Sequence, residues 1–266
     1  MHPADSTLKI EAVNWLPAHR SHDFPYLIGR WRRVAREARL EVRQFAEAEG
    51  LPVLAVESRA ALKGEPLIYL SAGVHGDESA PVCGLLSWAE ENIELLRKKA
   101  FLILPCVNPY GLIRNVRVDH RGMDINRRFH LVDDEICGPW HRMVNARAMV
   151  AGLCLHEDYD AEGTYLYELS GSREVMGHDL LAACAGAIKP DGRKKIEGRA
   201  AVKGVIRRKR FPKDLPGMPE AVVLHQLGCP LTLTFETPSE FSLDARIAAQ
   251  RLFVEAAVAK VLSADV

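Results

Sequence analysis

The sequence predicts an α/β fold, a layered domain around a mostly parallel sheet. Three observations carry this. Apolar or β-branched runs at 67–72, 101–107, 150–155 and 231–236 read as buried strands. Stretches with apolar residues at helical spacing lie between them. The 266 residues suffice for one large domain or two small ones. Strands alternating with helices favour a parallel sheet covered by helices.

Element by element, residues 1–20 read as irregular and Tyr26–Leu40 as a basic amphipathic helix. Val42–Phe45 and Val53–Ser58 read as strands, and Leu67–Ala72 as a central strand between Gly64 and Gly73. Ala80–Lys98 reads as one long helix, since Leu85, Leu86, Trp88, Ala89, Ile93 and Leu96 recur on one side. Phe101–Val107 is a buried strand stopped by Asn108-Pro109, and the charged segment 110–135 reads as a long functional loop. Trp140–Val150 is expected to be helical, followed by the apolar run Val150–Leu155. Tyr165–Leu169 reads as a short strand and Val175–Ile188 as a helix. Residues 189–218, rich in Gly, Pro, Lys and Arg, show no clear pattern. Pro219–Leu227 is a short helix, Leu231–Glu236 a strand and Leu243–Leu262 a closing helix.

Bulk composition narrows the function. Lys plus Arg and Asp plus Glu both total 35, so no global field draws nucleic acid or a membrane surface. No apolar run reaches the ~18 residues of a membrane span. Met1–Ile10 lacks the basic-then-apolar pattern of a secretory signal, so a cytoplasmic location is expected. The six cysteines include no C-x-x-C and read as buried reduced thiols.

The chemistry is concentrated in a few segments. His75 and Glu78, three apart, leave the central strand in Gly73-Val74-His75-Gly76-Asp77-Glu78. Imidazole nitrogen and carboxylate oxygen suit a borderline metal such as zinc, and two ligands in one turn converge at little entropic cost. His156 ends the next apolar run, and Glu236 ends the last strand in Thr234-Phe235-Glu236-Thr237-Pro238. In parallel sheets, sites gather at the carboxyl ends of strands. His75, Asn108, His156 and Glu236 share that position, so they read as one site.

With Asn108-Pro109-Tyr110-Gly111, then Arg117, then Gly122-Met123-Asp124-Ile125-Asn126-Arg127-Arg128-Phe129, the series runs H-x-x-E, N-P-x-G, R with G-x-D-x-N-R-x-F, a strand-end histidine and T-x-E-T-P, in order over residues 73–238. In this the chain resembles the zinc carboxypeptidase superfamily. That group holds carboxypeptidase A-like peptidases and the aspartoacylase and succinylglutamate desuccinylase deacylases.

The resemblance implies one three-layer α/β/α domain over residues 1–266, with a mixed, largely parallel sheet. It implies one zinc ion on His75, Glu78 and His156, with Glu236 as general base. Arg117 would stabilise the oxyanion, while Asn126 and Arg127 would hold a substrate carboxylate. Arg114 and Arg121 compete with Arg117, and Asp124 braces the loop. His120, His130, His141, His178 and His225 are not expected to be ligands.

Two departures stand out. Cys154 occupies the place, two before the third ligand, where many relatives carry aspartate. No tyrosine lies near 212–216, where larger carboxypeptidases place a mobile one; Tyr165 and Tyr167 read as strand residues rather than substitutes. The chain therefore looks closer to compact bacterial-type members. The expected activity is hydrolysis of an amide next to a free carboxylate, first as a metallocarboxypeptidase. A deacylase of N-acyl amino acids or a cell-wall peptide amidase is the alternative, and an inactive metal-binding module the remote one. The pocket wall is expected from residues 189–230. The run Arg207-Arg208-Lys209-Arg210 reads as a solvated edge, although facing the cleft it would attract an acidic substrate.

Overall fold

The computed structural model describes residues 19–171, 175–208 and 217–264. Residues 1–18 of the segment expected to be irregular, Lys209, Arg210 and the 212–216 neighbourhood lie outside the described residues.

The chain opens with α1 (Phe24–Ala38), β1 (Glu41–Ala48), β2 (Leu51–Glu57), α2 (Arg59–Leu62) and β3 (Leu67–Ser71). It continues through α3 (Ser79–Glu91), α4 (Ile93–Lys98), β4 (Phe101–Leu104) and α5 (Pro109–Arg114). A 3-10 turn (Ile125–Arg127) precedes α6 (Cys137–Val144), β5 (Met149–Asp158), β6 (Tyr165–Ser170) and α7 (Gly177–Cys184). The last part holds β7 (Lys195–Ile196), β8 (Arg199–Ala200), β9 (Val205–Arg208), α8 (Glu220–Gln226), β10 (Leu231–Pro238) and α9 (Leu243–Ala264).

Several boundaries differ from the sequence reading for local reasons. The expected helix Ala80–Lys98 is two helices. Asn92 leaves helical geometry at φ −119°, and its Nδ2 donates to Trp88 O at 3.0 Å. The loop 110–135 begins with α5, because Asn108 Oδ1 accepts from Gly111 N at 2.9 Å and Pro109 fits the first helical position. The helix expected at Trp140–Val150 ends at Val144, and β5 begins at Met149.

The main sheet runs β1-β2-β4-β3-β5-β10-β6-β9. Its centre, β4-β3-β5-β10, is parallel, and β9 is parallel to β6. The remaining pairs are antiparallel, so the sheet is mixed. Ile68, Leu70, Leu153, Leu155, Leu233 and Phe235 pack with α1, α3, α7 and α9 on one face. Leu67, Tyr69 and Cys154 pack with α6 and α8 on the other. Helices on both faces make the three layers.

Strand register decides what shares that second face, since side chains alternate along a strand. His156 lies beside Glu236, which lies beside Tyr165. Two residues back, Ser71, Cys154, Thr234, Tyr167 and Ile206 form a second row. A third runs Tyr69, Gly152, Thr232, Leu169 and Arg208.

Candidate metal and active site

The turn after β3 has little steric freedom. Gly73 sits at φ +64°, a conformation costly for other residues. A Cβ on Gly76 would come within 1.9 Å of the Gly111 carbonyl carbon, so glycine alone lets this turn seat against α5. The turn then places His75 and Glu78 opposite His156 at the end of β5. All three are buried, at 3%, 4% and 2% exposure. Their ligating atoms lie within 4.8 Å of one another. His75 Nδ1 is 2.5 Å from Glu78 Oε1, and His156 Nδ1 is 2.9 Å from Glu78 Oε2. Two imidazole nitrogens and one carboxylate, aimed at a common point, form a donor set that fits a zinc-type cation.

The surroundings hold this set in place. His75 Nε2 lies 3.1 Å from Asp124 Oδ1, which leaves Nδ1 facing the cluster. Burial disfavours charge on His75, but Glu78 and Asp124 outweigh it and raise its pKa to about 9. Burial also opposes charge on Glu78, yet His75 and His156 hold its carboxyl well below the usual range. The strand end carrying His156 is fixed from behind. Gln250 Nε2 on α9 donates to His156 O at 2.8 Å, and Glu157 binds Arg246 at 2.5 Å and Ala80 N at 2.9 Å. Phe235 stacks on Phe253 at 4.1 Å and fixes the end of β10 in the same way.

Among the three candidate arginines, Arg117 reaches the cluster, with its guanidinium 3.4 Å from Glu78 Oε1 and 3.3 Å from Asp124 Oδ2. Arg114 lies over the Tyr110 ring, and Arg121 is held by Asp119 and Asp134. A second possible ligand group, Asp119, His120 and Glu135, is neutralised by Arg121 and Arg128.

Glu236 faces the same cavity. Its Oε2 is buried and has no hydrogen-bond partner among the described residues. Burial pushes its carboxyl well above the ordinary range, with Glu78, Glu197 and Asp158 adding to the effect. The cavity, about 390 Å³, is lined on one side by Arg117, Asn126, Arg127, Gly217 and Pro219. Asn126 Oδ1 accepts from Glu220 N at 3.0 Å, so its amide donors are free to face the cavity. Tyr165 and Tyr167 lie on β6 as expected, their hydroxyls held by Asp158 and Glu197. Segment 189–230 does line the cavity, through Glu197, Arg199, Arg208, Gly217, Pro219, Ala221 and Val222. Arg208 on that wall departs from the solvated edge expected for the basic run, because its register beside Leu169 turns it to the cavity face.

Sequence reasoning missed Glu220. It opens α8 after Pro219, where an acidic residue ordinarily sits in solvent at a helix start. Here it is 1% exposed, accepting from Tyr69 OH and, at 2.6 Å, from Ser71 Oγ. Ser71 is in register with Cys154, so Glu220 supplies a carboxylate beneath His156 at the level where Cys154 has none.

Residues 65–149 match the family described as the succinylglutamate desuccinylase/aspartoacylase catalytic domain. A provisionally assigned metallopeptidase from Shewanella amazonensis SB2B shares the fold at TM-score 0.80 and 23% identity, over 91% of this chain and 94% of that one. The chain has a carboxypeptidase-like α/β fold. A metallo-carboxypeptidase from Burkholderia cenocepacia matches at TM-score 0.65 and 16% identity, over 90% of this chain and 68% of that one. The murein-tripeptide amidase MpaA from Escherichia coli O157 matches at TM-score 0.52 and 16% identity, over 82% and 90%. No curated protein sequence matches the chain. Among the described residues, no helix is long and apolar enough to cross a membrane.

Within this fold, Glu220 has a measurable signature. Burial raises its pKa above 4.5, against the hydrogen bonds of Ser71 and Tyr69. A raised pKa in the folded state gives stability that is present below 4.5 and lost as pH rises. Glu220→Gln lacks that titration. Its Tm relative to the parent is expected to climb above pH 4.5, by up to roughly 3–5 °C per pH unit within the window. A Tm difference that stays flat from pH 4.5 to 8 would refute the raised pKa.

Proposed function

We propose that the chain is a zinc-dependent hydrolase that cleaves an amide bond next to a free carboxylate, acting as a metallocarboxypeptidase. One observation carries the reading. Glu236 presents an unpartnered carboxylate oxygen on the row of His156, and Asn126 and Arg127 line the other wall of the same cavity.

His75, Glu78 and His156 would hold the ion. Once bound, it would acidify water and polarise the scissile carbonyl. Glu236 would accept the water's proton at its free oxygen and deliver it to the leaving nitrogen. Burial raises its pKa, which favours return of the proton it has taken. Arg117 would meet negative charge developing on the carbonyl oxygen. Asn126 and Arg127 would bind the terminal carboxylate, a planar anion matched by the guanidinium fork.

A second reading, a deacylase of N-acyl amino acids or a cell-wall peptide amidase, keeps every step and changes the acyl side. It is supported by the family matched at 65–149 and by the amidase that shares the fold.

A mass-spectrometric product screen on the zinc-loaded protein, with Glu236→Gln as blank, separates the two. The substrates are free-carboxylate peptides, their C-terminal amides, cell-wall peptides and N-acyl amino acids. Release of single C-terminal residues from free-carboxylate peptides alone supports the carboxypeptidase. Turnover confined to acyl amino acids or cell-wall peptides selects the second reading. Equal cleavage of C-terminal amides would remove the carboxylate clamp.

A further inference from the structure

We infer that Gln250, seated against Gly84, is a positioning residue that holds His156 and Glu236 at a fixed separation. The inference rests on the hydrolase reading above and adds to it a residue on α9, behind the sheet.

Two local rules are broken at one contact. Every other buried residue of α9 is apolar, Ile247, Phe253 and Val254 among them, yet Gln250 sits in that face at 0% exposure. Its Nε2 donates to His156 O at 2.8 Å and to Thr237 Oγ1 at 3.0 Å. A carbonyl only accepts, so the amino end must face it. Oε1 is then left buried, with no hydrogen-bond partner among the described residues. An unpaired buried amide oxygen is costly, and a leucine or methionine would fill the same space without one. The second departure is Gly84, inside α3, where glycine weakens a helix. A Cβ there would stand 2.5 Å from Gln250 Cβ and 3.0 Å from Ile247 O, so only glycine lets α9 come this close. Local rules are broken in this way chiefly at functional sites.

The contact lies directly behind the site. His156 is in register with Glu236, and the pairing of β5 with β10 ends two residues later, at Asp158 and Pro238. Proline has no N–H with which to extend the ladder. Gln250 bridges the strands just there, one donor on the backbone of β5 and one on the Thr237 side chain of β10. Thr237 Oγ1 lies 3.5 Å from Glu157 Oε1, and Glu157 also holds Arg246 of α9 and Ala80 N in the first turn of α3. Because α3 begins straight after Glu78, a closed ring runs from Glu78 along α3 to Gly84, across to Gln250 and on to His156. Moving α9 out by the room a methyl group needs would shift His156 against both Glu78 and Glu236.

The test compares the full-length parent with Gln250→Met, Gly84→Ala, their double variant and Val261→Ala, a cavity-forming control near the end of α9. The readouts are Tm without metal, zinc affinity by chelator competition, the visible spectrum of the cobalt(II)-loaded protein, and kcat and KM on the substrate found in the product screen. Gln250→Met is expected to keep a Tm close to the parent's and to lose about tenfold or more in zinc affinity, as when a supporting residue is removed. Its cobalt spectrum should shift. At saturating zinc its kcat should fall about tenfold or more, because the reacting groups are misplaced. KM should hold, since Asn126 and Arg127 lie on a separate 3-10 turn. Val261→Ala should lower Tm and leave the other readouts unchanged. If Gly84 acts through Gln250, the double variant loses no more zinc affinity than Gly84→Ala alone. Parent-like zinc affinity and cobalt spectrum in Gln250→Met would overturn the proposal, as would losses that simply follow Tm across Gln250→Met and Val261→Ala. Should Gly84→Ala not fold, Gln250→Met decides by itself. If the parent turns over no substrate, the hydrolase reading fails, while zinc affinity and the cobalt spectrum still decide whether Gln250 positions His156.

Discussion

Glu236→Gln is expected to bind zinc as the parent does and to lose roughly 10²–10⁴-fold in kcat, the span set by removing a general acid–base group. The substitution keeps the shape of the side chain and removes its basic oxygen. Oε2 has no hydrogen-bond partner among the described residues, so no existing bond is broken. Burial opposes the charge that the amide lacks, so an unchanged or slightly higher Tm is expected as well. Chelator competition measures the metal, single-turnover kinetics the chemistry, and a thermal melt the fold. Near-full turnover with zinc in place would exclude Glu236 as the base.

The second large effect falls on Glu78. Its two oxygens face both histidines, and Oε2 also accepts from Glu157 N at 3.1 Å. Glu78→Ala removes a proposed ligand and the anion between two buried imidazoles. The loss in zinc affinity is expected to exceed the ~10–100-fold typical of a supporting residue. Zinc at a thousand times its dissociation constant stabilises the parent by about 4 kcal/mol. At the same zinc concentration, the variant should show little of that rise in Tm. Parent-like zinc affinity in Glu78→Ala would move the metal site elsewhere.

The fold was largely legible because its strands are short apolar runs with abrupt ends. Gly73 closes β3, and Asn108 with Pro109 follows β4 closely, so the positions of the chemical residues could be read from local signals. Neighbourhood could not be read. Nothing local says that β10 lies between β5 and β6, yet that order puts Glu236 beside His156. Arg117 was separable from Arg114 and Arg121 by motif spacing, and of the three it is the one that contacts Glu78 and Asp124. Glu220 was invisible because its burial comes from Tyr69 and Ser71, about 150 positions away, and a glutamate at a helix start has an ordinary surface explanation. Cys154 was the one available signal, since an absent carboxylate beneath a ligand invites a search for its substitute. The break at Asn92 escaped because the apolar spacing continues across it.

The contact between Gly76 and Gly111 has a thermodynamic corollary. Two backbones that meet without side chains between them leave the His75 turn little room to relax, whatever ion is nearby. The ordering entropy of the ligands is then spent when the chain folds, not when metal arrives. Amide hydrogen exchange in residues 73–78 and 108–112 should therefore be almost the same with and without zinc. Chelation would give a protein that is inactive yet still folded, and adding zinc back should restore function on the timescale of diffusion rather than of refolding.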